Sequence, residues 1–108
     1  MSPVVERRSR MPKPFFVEAL EKGDPELLSQ MNSVQEFAGR DGALPAKVKT
    51  LMSMLGDAIL GHGDGVKAIA ERARGQGATE QEIAETVRMA FVCAGMPGLV
   101  TGTHAFRK

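Results

Sequence analysis

The chain of 108 residues holds two histidines and one cysteine. Side chains able to act as base, nucleophile or soft metal ligand near neutral pH are therefore few. His62 leads them. It stands in Gly61-His62-Gly63-Asp64-Gly65, ahead of an amphipathic helical pattern whose free N–H groups disfavour imidazolium, and a neutral His62 is suited to general-base work. The plainer reading is a surface-loop histidine flanked by glycines, with no partner to orient it. His104 is the second catalytic candidate and reaches His62 only through tertiary or intersubunit contact. Its plainer reading is a half-exposed residue near a fraying C-terminus.

Other chemistries fit less well. His62, Asp64 and His104 have suitable ligand types but no recognised metal-site spacing, so no metal is expected. The glycine-rich stretch precedes a helix, as a phosphate cradle does. It follows a helix instead of a strand, however, lacks Gly-Lys-Ser or Gly-Lys-Thr, and carries Asp64, which repels anions. No nucleotide or other cofactor is expected. Glu82 and Glu85 are explained by capping and the helix dipole better than by a paired-carboxylate site. Cys93 is expected to pack as a small hydrophobe inside its helix, and alone it excludes an intrachain disulfide.

The elements that position these residues read as helices. Phe16, Ala19 and Leu20 share one face of a short first helix closed by Gly23. Asp24-Pro25 is an N-cap with proline at the first helical position, and Leu27, Leu28, Met31, Val34 and Ala38 follow as one stripe. Leu44-Pro45 opens a helix carrying Val48, Leu51, Met52, Leu55 and Ile59. After the glycine-rich break over residues 60–66, Val66, Ile69, Ala70 and Ala73 make the next stripe. Thr79-Glu80-Gln81-Glu82 is a capping box, and it starts a helix with Ile83, Val87, Ala90, Phe91 and Ala94 on one face. With Met89, Val92 and Cys93 added, the second half of that helix is apolar nearly all round, which predicts burial by another subunit. Gly95-Met96-Pro97 breaks it, and Leu99, Val100, Thr103 and Phe106 form a weak last helix. No useful strand-like alternation is present.

Composition narrows the partners. Hydrophobic residues make up 43% and charged residues 25% of the chain, with five Phe, seven Met and neither Trp nor Tyr; Leu, Ile, Val, Ala and Met must fill the core, as suits helix packing. Net charge is only +1, and no basic stripe follows a phosphate backbone, so nucleic acid is not an expected partner. No uninterrupted apolar run approaches the roughly 20 residues of a membrane span, and no membrane association is expected. Arg7, Arg8, Arg10 and Lys13 outweigh Glu6 near the N-terminus, but no apolar segment of a secretory leader follows. The expectation is a cytoplasmic protein with a flexible basic arm over residues 1–11 and a single helical domain over 12–108.

Leu44-Pro45-Ala46-Lys47-Val48-Lys49, Gly77-Ala78-Thr79-Glu80-Gln81-Glu82-Ile83-Ala84-Glu85 and Ala94-Gly95-Met96-Pro97 resemble the carboxymuconolactone decarboxylase and alkylhydroperoxidase D-like family, over roughly residues 44–108. The resemblance implies an all-α bundle of five to six helices, assembled as a homotrimer or homohexamer. It also implies a redox branch with a glutamate, a Cys-x-x-Cys pair and a histidine in fixed register. In that register the glutamate falls on Thr50, the cysteines on His62 and Gly65, and the histidine on Ile69, so all four are replaced. A thiolate needs a second thiol to resolve it, and peroxidase or disulfide chemistry is not expected from a lone Cys93. The decarboxylase branch keeps the histidine, whose position here is also Ile69. Two functions remain open: small-molecule lactone or carboxylic-acid chemistry with His62 as base, or a non-catalytic oligomeric scaffold or small-ligand-binding protein.

Overall fold

The computed structural model describes residues 13–108; the basic arm over 1–11 lies outside them. The chain runs through α1 (Phe15–Gly23), α2 (Pro25–Gly39), α3 (Ala46–Leu60), α4 (Gly63–Gly75) and α5 (Glu80–Gly102), then a 3₁₀ turn, Thr103–Phe106. Among the described residues there is no strand, and the all-α expectation is met.

Local chemistry sets most boundaries. Asp24 serves two helices: its N–H closes α1 on the Leu20 carbonyl at 2.8 Å, and its Oδ1 accepts from Leu27 N–H at 3.0 Å to open α2. Asp41 Oδ1 accepts from Ala46 N–H at the start of α3. The Thr79–Glu82 capping box is complete, with Thr79 N–H donating to Glu82 Oε1 at 2.8 Å and Glu82 N–H to Thr79 Oγ1 at 3.0 Å. Those two bonds satisfy donors that the first turn of α5 would leave free.

The core is formed where α3, α4 and α5 meet. Met54 and Ala58 of α3, Val66, Ala70 and Ala73 of α4, and Ile83, Val87 and Ala90 of α5 are buried together with Ala78 and Ala105. So many alanines let the helix axes approach closely, while Met54, Ile83 and Val66 fill the space between them. Each of those three contributes about 1.5–3 kcal/mol by leaving water. The 3₁₀ turn packs on both α4 and α5, which brings the C-terminal segment back to the start of α4.

Two sequence expectations change. α4 begins at Gly63, so the glycine-rich stretch is a tight corner followed by a helical first turn. Gly61, at φ +83°, ends α3 in the left-handed region, His62 becomes the N-cap of α4, and Asp64 in the first turn suits the helix dipole. The expected break at Gly95-Met96-Pro97 is present: Gly95, at φ +67° and ψ −154°, interrupts the helical backbone within the span of α5, and Pro97 lies in the first turn of the segment that follows, where its missing N–H costs nothing. Leu99 and Val100 lie in that second segment. Second, Cys93 is exposed on this chain, as are Met89 and Val92, because only one face of α5 meets α3. Segment Glu80–Phe106 is, by length and composition alone, long and apolar enough to cross a membrane, although no single run of the sequence suggested it. Only 22% of its most apolar window is buried within the chain.

Candidate functional site

The corner between α3 and α4 gathers four side chains. His62 is 61% exposed at its side chain, and its Nδ1–H donates to Asp57 Oδ1 at 3.3 Å. Asp57 lies in the last turn of α3, and its carbonyl accepts from His62 N–H at 2.9 Å, so backbone and side chain fix the residue together. A carboxylate can only accept, which places the proton of neutral His62 on Nδ1 and leaves Nε2 as a free acceptor. That is the tautomer a general base requires.

Two glycines make the corner possible. A Cβ on Gly65 would collide with Asp57 Oδ2 and lie 3.1 Å from its Cγ. A Cβ on Gly63 would come within 2.7, 2.8 and 2.9 Å of Nε2, Cδ2 and Cε1 of His104. Glycine at 63 and 65 thus admits the imidazole of His104 and the carboxylate of Asp57 against the first turn of α4. The structure brings His104 to the residue next to His62, as the tertiary contact considered from the sequence would require.

The segment holding His104 is anchored from α4. Arg74, nearly buried, donates to the Ala105 carbonyl at 2.8 Å, to Glu71 Oε1 at 2.8 Å and to Glu80 Oε1 at 2.6 Å. Its guanidinium is held above its ordinary pKa, mainly by the hydrogen bond to Glu80, and the Glu80 carboxyl is correspondingly lowered by Arg74. Glu82 is likewise lowered, first by the backbone N–H of Thr79 and then by Lys47 at 3.0 Å. Glu82 caps α5, as its spacing from Thr79 suggested.

Arg107 completes the cluster. Its Nη1 donates to His104 Nδ1 at 2.6 Å and lies 3.4 Å from Asp64 Oδ1. Among the described residues no three His, Cys, Asp or Glu side chains converge as a metal site. Thr50 and Ile69 offer neither an acid nor a base. Thr50, 8% exposed, lines an open groove of ≈780 Å³ with Asn32, Glu36, Ser53, Arg72 and Gln76. Neither histidine borders that groove.

Sequence reasoning missed Asp57 and Arg107, although each left a trace. An acid in the last turn of α3 opposes the helix dipole, and no basic residue there offsets it. Such a local violation marks a residue retained for another purpose. Arg107 follows His104 at the spacing of neighbours on one helical turn.

Fold and site together define an all-α protein whose candidate chemistry rests on imidazole and carboxylate. The Carboxymuconolactone decarboxylase family pattern matches residues 25–108, and the chain belongs to that family. The match reaches back to the first residue of α2, farther than the resemblance read from residue 44 onward. No curated protein and no solved structure matches the chain.

Proposed function

We propose that this chain is a lyase-type enzyme acting on a small lactone or carboxylic acid in the cytoplasm. His62 is the general base, Asp57 holds its tautomer, and His104 is the second polar group of the site. The observation that carries this reading is the Nδ1–H bond from His62 to Asp57 at the start of α4, where the redox branch would place a cysteine. The family's name denotes decarboxylation of carboxymuconolactone, which supports the substrate class. Peroxidase and disulfide chemistry are not part of the proposal, because Cys93 is the sole cysteine.

In this reading the working form is a homotrimer or homohexamer. Its support is that α1 and α2 bury no residue within the chain, while Phe15, Phe16, Val34 and Phe37 on them, and Val92, Met96 and Val100 on α5, are exposed. Burying such side chains would contribute about 1.5–3 kcal/mol each. Sedimentation equilibrium tests it: a trimer or hexamer is expected, and a monomer at tens of micromolar would overturn it.

One observation favours a second reading, a non-catalytic scaffold: on one chain His62 is mostly exposed, whereas bases commonly work in enclosed pockets. Carbon dioxide release from carboxymuconolactone by the wild-type chain and by His62→Ala separates the two. The enzyme reading expects turnover that falls about 10²-fold or more in the variant. Equal rates would remove His62 from the mechanism, and no turnover by either would favour the scaffold.

A further inference from the structure

The groove that Thr50 lines holds more polar capacity than the fold uses. From α3 it is lined by Thr50 and Ser53, one turn apart, and from the C-terminal end of α4 by Arg72 and Gln76, also one turn apart. Arg40 and Lys49 line it where α2 ends. Lys49 Nζ donates to the Arg40 carbonyl at 2.8 Å, which holds the ammonium at that end and occupies one of its three donors. The Arg40 guanidinium lies 5.2 Å from the Phe37 ring centroid; stacking engages its flat face and leaves its in-plane N–H groups for an anion.

Gln76 adds an independent observation. Its Oε1 is buried with no hydrogen-bond partner among the described residues, and a buried acceptor left without a donor is a net cost to the fold. Methionine would fill much the same space with no such cost. The residue borders the groove, and the last torsion of a glutamine is soft. A small turn of the amide therefore presents Oε1 to the groove, where a ligand hydroxyl supplies the donor that the chain does not.

We infer that this groove binds a small phosphorylated polyol of the sugar phosphate class. Arg40, Lys49 and Arg72 supply the cationic field that holds the phosphate, while the Gln76 amide and the hydroxyls of Thr50 and Ser53 engage the hydroxyl groups of the ligand. Charge selects the phosphate: three cations against one carboxylate, Glu36, leave the lining at a net +2. A phosphate monoester, with about 1.5–2 negative charges near neutral pH, matches that value, and a monocarboxylate does not. Composition selects the polyol. Among the described residues the lining is otherwise amides and hydroxyls, and its apolar members, Ala38 and Gly39, offer no face on which a nucleobase stacks. The groove, at ≈780 Å³, lies within the range of about 300–1,000 Å³ usual for small-ligand sites. Neither His62 nor His104 lines it, so the inference holds whether or not the α3–α4 corner is catalytic.

The test is titration of the ¹⁵N-labelled full chain with glucose 6-phosphate, read by calorimetry and ¹H–¹⁵N spectra, with glucose, inorganic phosphate and citrate as comparison ligands. At the ligand efficiency of drug-sized compounds a molecule of that size has a Kd of about 0.3 mM. Saturation near that concentration is expected, with shifts at the Gln76 side-chain amide and at Thr50 and Ser53, unmoved His62 and His104, and each comparison ligand weaker by about tenfold or more. Arg40→Gln and Lys49→Gln should weaken the sugar phosphate and inorganic phosphate alike. Gln76→Met should weaken the sugar phosphate about five- to tenfold, leave inorganic phosphate unchanged, and hold or raise Tm. No saturation by about 10 mM would overturn the site, and shifts confined to His62 and His104 would overturn its location. Equal binding of glucose or citrate would overturn the phosphate, and equal binding of inorganic phosphate the polyol. A Gln76→Met chain that binds glucose 6-phosphate as well as wild type would overturn the role given to the amide.

Discussion

Gly65→Ala should separate stability from catalysis. The new methyl would collide with Asp57 Oδ2, which is the far end of a rotatable side chain in a partly exposed position. Asp57 can swing into solvent at an off-rotamer or rotamer-change cost of about 0.5–1.5 kcal/mol. The hydrogen bond it gives up is 3.3 Å long and reaches a mostly exposed ring, so its loss costs about 0.5–1 kcal/mol. Against this, alanine gains up to about 1 kcal/mol over glycine in a helix. The net change in stability is within about 1 kcal/mol, a shift of a few degrees in Tm for a domain of this size. Catalysis should respond more. Losing about 1 kcal/mol of tautomer preference changes the population of the base form roughly fivefold, and loss of ring orientation adds to that. Thermal melting by circular dichroism, kcat on carboxymuconolactone and the ¹⁵N signature of His62 form the assay. A variant that keeps both full turnover and the Nδ1–H signature would refute the role given to Asp57.

The remaining predictions follow from contacts already described. Arg74→Met should destabilise the fold by about 1–3 kcal/mol, because the carbonyl of fully buried Ala105 loses its donor; chemical denaturation measures it, and the His104 resonances should broaden as the 3₁₀ turn loosens. Acid should weaken the fold through Glu80 and Glu82. Their pKa values are lowered in the folded state, so their contribution is complete above the ordinary carboxylate range and disappears as pH falls through the lowered values. Replacing both by Gln should flatten the acid limb of a stability–pH curve. Val92→Glu, on the exposed face of α5, should shift the proposed homo-oligomer toward smaller species in sedimentation while leaving the helical content of each chain unchanged.

Much of the fold was legible because local chemistry and tertiary packing agree. Asp24-Pro25 and the Thr79–Glu82 box state their helix starts through side chains that satisfy backbone donors, and the stripes through Val66 and Ile83 do face the core, whereas α3 buries Thr50, Met54 and Ala58 and leaves Met52 and Ile59 of its expected stripe exposed. The corner at residues 61–65 was harder to read. Three glycines lower helix propensity enough to resemble a break, yet Gly63 and Gly65 are helical, and their missing side chains make room for His104 and Asp57. The reason for those glycines lies in residues up to about forty positions away, which no local pattern contains. Cys93 misled in the opposite direction. Its surroundings on α5 are apolar, but burial depends on how many neighbours reach a helix, and within one chain α5 has one fully covered face.

The central claim is that imidazole, not thiol, does the work at the start of α4. Its most direct test is turnover of carboxymuconolactone by three preparations of the full-length chain: wild type, wild type with Cys93 fully alkylated, and His62→Ala. Alkylation should leave kcat within a few-fold, while His62→Ala should lower it about 10²-fold or more. A rate that survives loss of His62 and vanishes on blocking Cys93 would contradict the account.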